Sequence, residues 1–220
     1  MTDQLTRPVP TDPVPGAGSR VLRGSGALAA AIAIGLLVGI ATSYLQGRLP
    51  GEWNSLANSG AVWATIGVVA AWLLAVSLPV SIGVGVLVLL GEVAGYYWIA
   101  CPLRNIATSD SEQALWTMAA LLFGTLAGAS GWFIRRGRGA QRGAALAATG
   151  GVIAGEGLHA LVRISAHAPL AWCELVAGLV LVGFSVVALP AARTQRTLAA
   201  VCGLVIAALV FLVYGEQLLV

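Results

Sequence analysis

AVWATIGVVAAWLLAVSLPVSIGVGVLVLLGEVAGYYWIA, Ala61 to Ala100, carries a single charged residue, Glu92, in forty positions. A helix needs about 20 mainly apolar residues to cross a bilayer, so this run is too long for one crossing and fits two. Proline cannot continue a helix without losing a backbone bond, which makes Leu78-Pro79-Val80-Ser81 the expected break. The two spans are then Ala61–Leu78 and Val80–Ala100.

Five further runs qualify: Ser25–Tyr44, Ala114–Ile134, Ala144–Val162, Ala171–Leu189 and Leu198–Tyr214. The whole chain of 220 residues agrees with this reading, being 58% hydrophobic and only 10% charged, against roughly a quarter charged in soluble domains. The expected fold is an all-α polytopic transmembrane helix bundle of seven spans over residues 25–214, or of six if the second or the last run is misread. A polar, Pro- and Gly-rich stretch, residues 1–24, reads as a disordered cytoplasmic tail, and residues 215–220 as a short C-terminal tail. The first apolar run is long and has no suitably placed small-residue cleavage site, so it is expected to stay as an anchor.

Charge gives the orientation. Every basic residue is Arg. With the N-terminus inside, the inner segments hold Arg7, Arg20, Arg23, Arg135, Arg136, Arg138, Arg142, Arg193 and Arg196, and the outer ones only Arg48, Arg104 and Arg163. By the positive-inside rule the chain is N-in and C-out, in the inner (plasma) membrane. These Arg residues report topology, and nothing in the sequence points to nucleic acid.

Trp53, Trp63, Trp98, Trp116 and Trp172 fall at the expected outer interface, where an aromatic belt is common. Trp63, Trp116 and Trp172 each begin a returning helix, and Gly-Glu pairs recur at Gly91 and Gly155, so repeated helical hairpins are a further reading. Small-xxx-small motifs occur at Gly35–Gly39, Gly91–Gly95, Gly124–Gly128 and Gly151–Gly155. In lipid, such pairs let helix backbones approach closely, either within the bundle or against another membrane protein.

The candidate chemistry lies in the acids. Glu92, Glu156 and Glu174 all fall in the outer half of expected spans. An ionised carboxylate in hydrocarbon costs several kcal/mol, so each must face the bundle interior, face a wet cavity, or hold a proton. Tyr96 at i+4 can reach Glu92, and His159 at i+3 shares a face with Glu156. Trp53, Asn54, Asn58, Arg104, Arg163 and His167 surround the expected cavity mouth.

Such a set suits a small cationic ligand or a proton. A structural role, as acceptors for Trp, Tyr or backbone groups, remains the alternative for each Glu. Glu156-x-x-His159 also occurs in carboxylate-bridged metal sites, which need two such motifs and two further Glu, where this chain has one motif and two His. A single metal held by Glu156, His159, Glu92 and Glu174 is the less favoured alternative, and no cofactor is expected. Cys101 and Cys173 both fall at the outer face, where a disulfide is conceivable and a role as small apolar fillers is favoured. No P-loop, nucleophile-elbow or dinucleotide signature is present.

The stretches TSYLQGRLPGEWNSLANSGAVW, GEVAGYY, GEGLHAL and LVYGEQ make the chain resemble an uncharacterised multi-pass membrane protein family of actinobacteria, a domain of unknown function. The resemblance implies a bacterial membrane protein and brings no catalytic residue with it. Three functions stay open at this point: a binding or transport-like protein with an acidic intramembrane site, an accessory or structural subunit docking through its Gly-rich faces, and an intramembrane metalloenzyme.

Overall fold

A computed structural model describes residues 17–74, 76–164, 168–187 and 192–216, together with the backbone alone at several of these positions. All the described elements are helical. Helix α1 is Ala17–Leu45, followed by a 3-10 turn, Gly51–Asn58, and a short helix α2, Gly60–Leu73. Helix α3 runs from Leu78 to Arg104, α4 is Asp110–Arg136, α5 Ala140–Arg163, α6 Ala168–Val187 and α7 Arg193–Glu216. The first helix therefore takes in residues 17–24, which had been assigned to the tail. Residues 1–16, His167, Leu189 and 217–220 lie outside the described residues.

Six helices are long and apolar enough to cross a membrane, and α2 is not one of them. It has 14 residues, roughly 21 Å of helix, where a full-length span from Ala61 to Leu78 is expected. Its start agrees with expectation to one residue, and its other end comes five residues early. Its C-terminal end turns at Leu74, and Ser77 then caps α3 by accepting from Val80 N–H, with Pro79 in the first turn. Proline is at home there because its missing N–H needs no partner. Pro79 thus starts a helix, and the break lies ahead of it. Counted with the 3-10 turn, from which it bends by 52°, α2 would make a seventh, broken span.

The glycine motifs are spent inside the molecule. A Cβ at Gly35 would strike the Val88 carbonyl and Gly91, and one at Gly39 would strike the Glu92 backbone, so α1 and α3 pack backbone to backbone. Gly85 sits likewise against Gly124 and Gly128, joining α3 to α4. Gly151 meets Gly203, and Gly155 meets Ala207, joining α5 to α7. Gly150 and Gly157 close on Gly178 and Leu175 of α6. Burying these faces drives helix association in lipid, and it leaves none of the four motifs on the surface for a partner. What the bundle does expose is bulky and apolar, for example Val180 and Val187 of α6 and Leu204 of α7, as lipid requires.

One end of the bundle collects the arginines. Arg135 donates to the carbonyls of Trp72 and Leu73 at 2.8 and 2.7 Å, tying the end of α4 to the end of α2. At the opposite end Arg104 donates to Gln46 O at 3.0 Å and Ser43 Oγ at 3.3 Å, fastening α3 to the end of α1.

Candidate functional site

Helix α2 begins among buried residues, Ser59 and Ala61, so its first N–H groups need partners within the bundle. Helix N-termini leave such donors open and carry a partial positive charge. Glu156 answers both needs. It lies seven residues before Arg163, roughly 10 Å below the end of α5. Its Oε2 accepts from Ala61 N–H at 2.6 Å and from the Tyr214 hydroxyl at 2.8 Å. Ser59, the N-cap residue of α2, accepts from Val62 N–H. Glu156 is thus clasped between the starts of α2 and the far part of α7. Gly60 permits the clasp, since a Cβ there would overlap the Tyr214 hydroxyl.

Around this point the aromatic side chains form a connected cluster. Tyr97 packs on Tyr96 at 4.8 Å between ring centroids, Tyr96 on Trp63 at 6.0 Å, Trp63 on Trp116 at 6.0 Å, and Trp116 on Tyr214 at 6.3 Å. His159 closes the chain 5.5 Å from Tyr214 and 6.0 Å from Phe211. Trp63 is buried and Trp116 half-buried, both packed within this cluster rather than facing outward. Trp53, Trp98 and Trp172 are exposed, as a belt requires.

Glu92 stands in a different situation. It is completely buried, yet neither carboxyl oxygen has a hydrogen-bond partner among the described residues. It lies near the middle of the Leu78–Arg104 helix, deeper than a span ending at Ala100 had implied. Tyr96 does not reach it. From Ala94 to Ala100 the helix widens into a π-helix, and the Tyr96 hydroxyl donates to Gln46 Oε1 on the turn after α1. The i, i+4 pairing expected of an ordinary α-helix fails at that change of winding. Among the described residues four more buried polar atoms have no partner, Trp63 Nε1 and His159 Nε2 beside the aromatic cluster and, elsewhere, Ser81 Oγ and Arg142 Nε.

Glu174, half-buried on α6, lies against Gly157, the residue after Glu156. Glu156, His159, Glu174 and Tyr214 therefore share one region, while Glu92 and Tyr96 lie across the aromatic cluster. The outer-loop candidates have local work. Asn54 Oδ1 accepts from Gly47 N–H at 2.5 Å, closing the first loop, and Arg104 holds α1. Trp53 and Arg163 are exposed, and the Asn58 side chain lies outside the description.

All three cysteines are free, with Cys101 buried and Cys173 exposed, so the conceivable Cys101–Cys173 bridge is not formed. Among the described residues no three His, Cys, Asp or Glu side chains come together as a metal site. Glu156 spends its contacts on Ala61 and Tyr214 instead. Sequence reasoning missed Tyr214, Gln46 and the Tyr97–Glu112 bond of 2.8 Å. For Tyr214 a signal existed: it is the one hydroxyl-bearing residue in the apolar run Leu198–Tyr214.

The model of a family of unknown function, DUF6518, matches residues 19–220, and the chain belongs to that family. No curated protein and no solved structure matches it.

Proposed function

We propose that this DUF6518 member is an integral membrane protein that binds and exchanges a proton or small cation at an acidic intramembrane site, in the manner of a transporter. In this reading it crosses the inner membrane seven times, N-in and C-out, with the 3-10 turn and α2 forming one broken span. The arginine-rich end faces the cytoplasm by the positive-inside rule. Broken helices with termini inside the bilayer recur at the ion and substrate sites of transporters, which supports the assignment by analogy of form.

One observation carries the reading: among the described residues the largest wholly buried side chain is a carboxyl group whose oxygens have no partner. A structural acceptor is identified by what it accepts, and Glu92 accepts nothing from the described residues. Burying it without a bond costs several kcal/mol, which a proton or a cation on the oxygens would offset. Glu92 is the exchanging group. Glu156 and Tyr214 hold α2 in place, His159 and Tyr96 shape the two flanks, and Glu174 lies toward the outer end.

The test is proton release. Purified protein in lightly buffered detergent is titrated with Na⁺ and, separately, with tetramethylammonium, and the pH is followed. Release by wild type that disappears in Glu92→Gln of unchanged thermal midpoint supports the site. No release with either cation, or equal release from Glu92→Gln, removes it.

A second reading, the accessory or structural subunit, draws on Glu156. That carboxylate is engaged by α2 and α7 as a fastener, and a chain built only of such contacts would need no ligand.

A further inference from the structure

A cavity of about 30 Å³ lies in the aromatic cluster, walled by Gly60, Trp63, Val93, Trp116, Phe123 and Tyr214 among others. Trp63 and Trp116 meet at 51°, and Trp116 and Tyr214 at 83°, so the rings form a corner rather than a stack. One carboxyl group is tied to the wall: Glu156 accepts from the hydroxyl of the lining residue Tyr214 at 2.8 Å.

This combination selects among guests. The wall offers no set of oxygen ligands, so a bare inorganic ion would lose its hydration without replacement. An anion would meet the Glu156 carboxylate behind Tyr214 and the electron-rich rings. A neutral apolar guest would gain nothing from that carboxylate. A cation whose charge is covered by methyl groups fits all three features, because it needs no hydrogen-bond acceptor and is attracted to the faces of Trp and Tyr.

We propose that the Trp63–Trp116–Tyr214 cavity binds a small methylated ammonium ion, with Glu156 behind Tyr214 supplying the negative charge. The proposal rests on the acidic-site reading above and names its ligand class. Entry requires the rings to part well beyond their resting positions, since the cavity at rest has room for only one or two water molecules and the ion is several times larger. Trp116 is the movable wall, being half-buried at the start of α4's apolar stretch.

The probe is tetramethylammonium chloride, added to the full-length protein in detergent, with NaCl of equal ionic strength as reference. Binding is measured with radiolabelled tetramethylammonium and by the shift in thermal midpoint. Saturable binding in wild type is expected, about tenfold weaker in Trp116→Leu, which removes a cation–π face. Ala119→Leu, which fills the cavity from a half-buried lining position, is the second variant and should abolish binding even if Trp116→Leu fails to fold. Absence of saturable binding in wild type, or wild-type affinity in whichever of the two variants folds, overturns the proposal. Proton release by Na⁺ that persists under those outcomes leaves the acidic site standing. Loss of release with both cations overturns the site and the cavity together.

Discussion

Glu92 and Glu156 begin alike: each follows a Gly in a GExxx stretch of an apolar helix, each is buried, and each lies beside a close helix contact made by glycine. Their surroundings then diverge. Glu156 has a helix N-terminus and a phenol aimed at it, and it accepts from both. Glu92 has neither, although its backbone is pressed against Gly39 as tightly as any in the bundle. Burial therefore does not tell a structural carboxyl from a functional one. The count of donors around it does, because an acceptor that satisfies buried donors contributes to stability and one that satisfies none detracts from it.

The largest expected effect breaks the Glu156 side of this comparison. Glu156→Ala leaves the Ala61 N–H and the Tyr214 hydroxyl without an acceptor in the bundle interior. Each orphaned group costs about 1–3 kcal/mol, so the loss should be roughly 3 kcal/mol, seen as a large fall in thermal midpoint in detergent. An unchanged midpoint would mean that the clasp at α2 contributes nothing. Gly60→Ala comes next. Its methyl group would push against the Tyr214 hydroxyl, displacing it from Glu156 and straining α2, at a cost of roughly 2 kcal/mol. A midpoint equal to wild type would show that the chain yields freely there.

How much of this was legible beforehand follows from what each signal measures. Hydropathy counts apolar residues, so it found the long helices, the low charge and the lipid-facing surface. It placed the start of α2 to within one residue, Ala61 against Gly60, but not its end, because the run stays apolar beyond Leu73 and composition does not mark where the helix turns. The bond from Ala61 N–H to Glu156, 95 residues away, is a pairing that no local pattern contains. Nor does composition tell a Trp packed in the bundle, such as Trp63, from one at its surface. At Pro79 the local signal was present and was misjudged, since Ser77 two residues earlier marks a capped start. The small-xxx-small motifs were legible as helix contacts, because close approach leaves only Gly as a fit, but which helix each one meets was not. Glu92 was identified by its charge alone, and its missing partner could be found only once Tyr96 was seen turned away by the π-helical segment.

Tyr214→Phe sharpens the comparison with less force. It removes one donor to Glu156 while keeping the ring against Trp116 and His159, so the cost should be about 1 kcal/mol. A cost as large as that of Glu156→Ala would place the whole clasp on the phenol rather than on the helix terminus.

The smallest effect on stability is expected at the most buried acid, and its sign is the informative part. Glu92→Leu replaces a wholly buried carboxyl, without a partner among the described residues, by an apolar group of similar size where α3 packs on α1. Replacing buried charged or polar groups by apolar ones of matching volume is often neutral or stabilising, by up to a few kcal/mol. The thermal midpoint should therefore stay level or rise, while cation-driven proton release disappears. A fall comparable to that of Glu156→Ala would mean that Glu92 has partners in the membrane after all, and the two carboxyls would then be two fasteners of one structural bundle. A level midpoint with release lost would separate them by role, with one acid holding α2 and the other kept at a standing cost for what it binds.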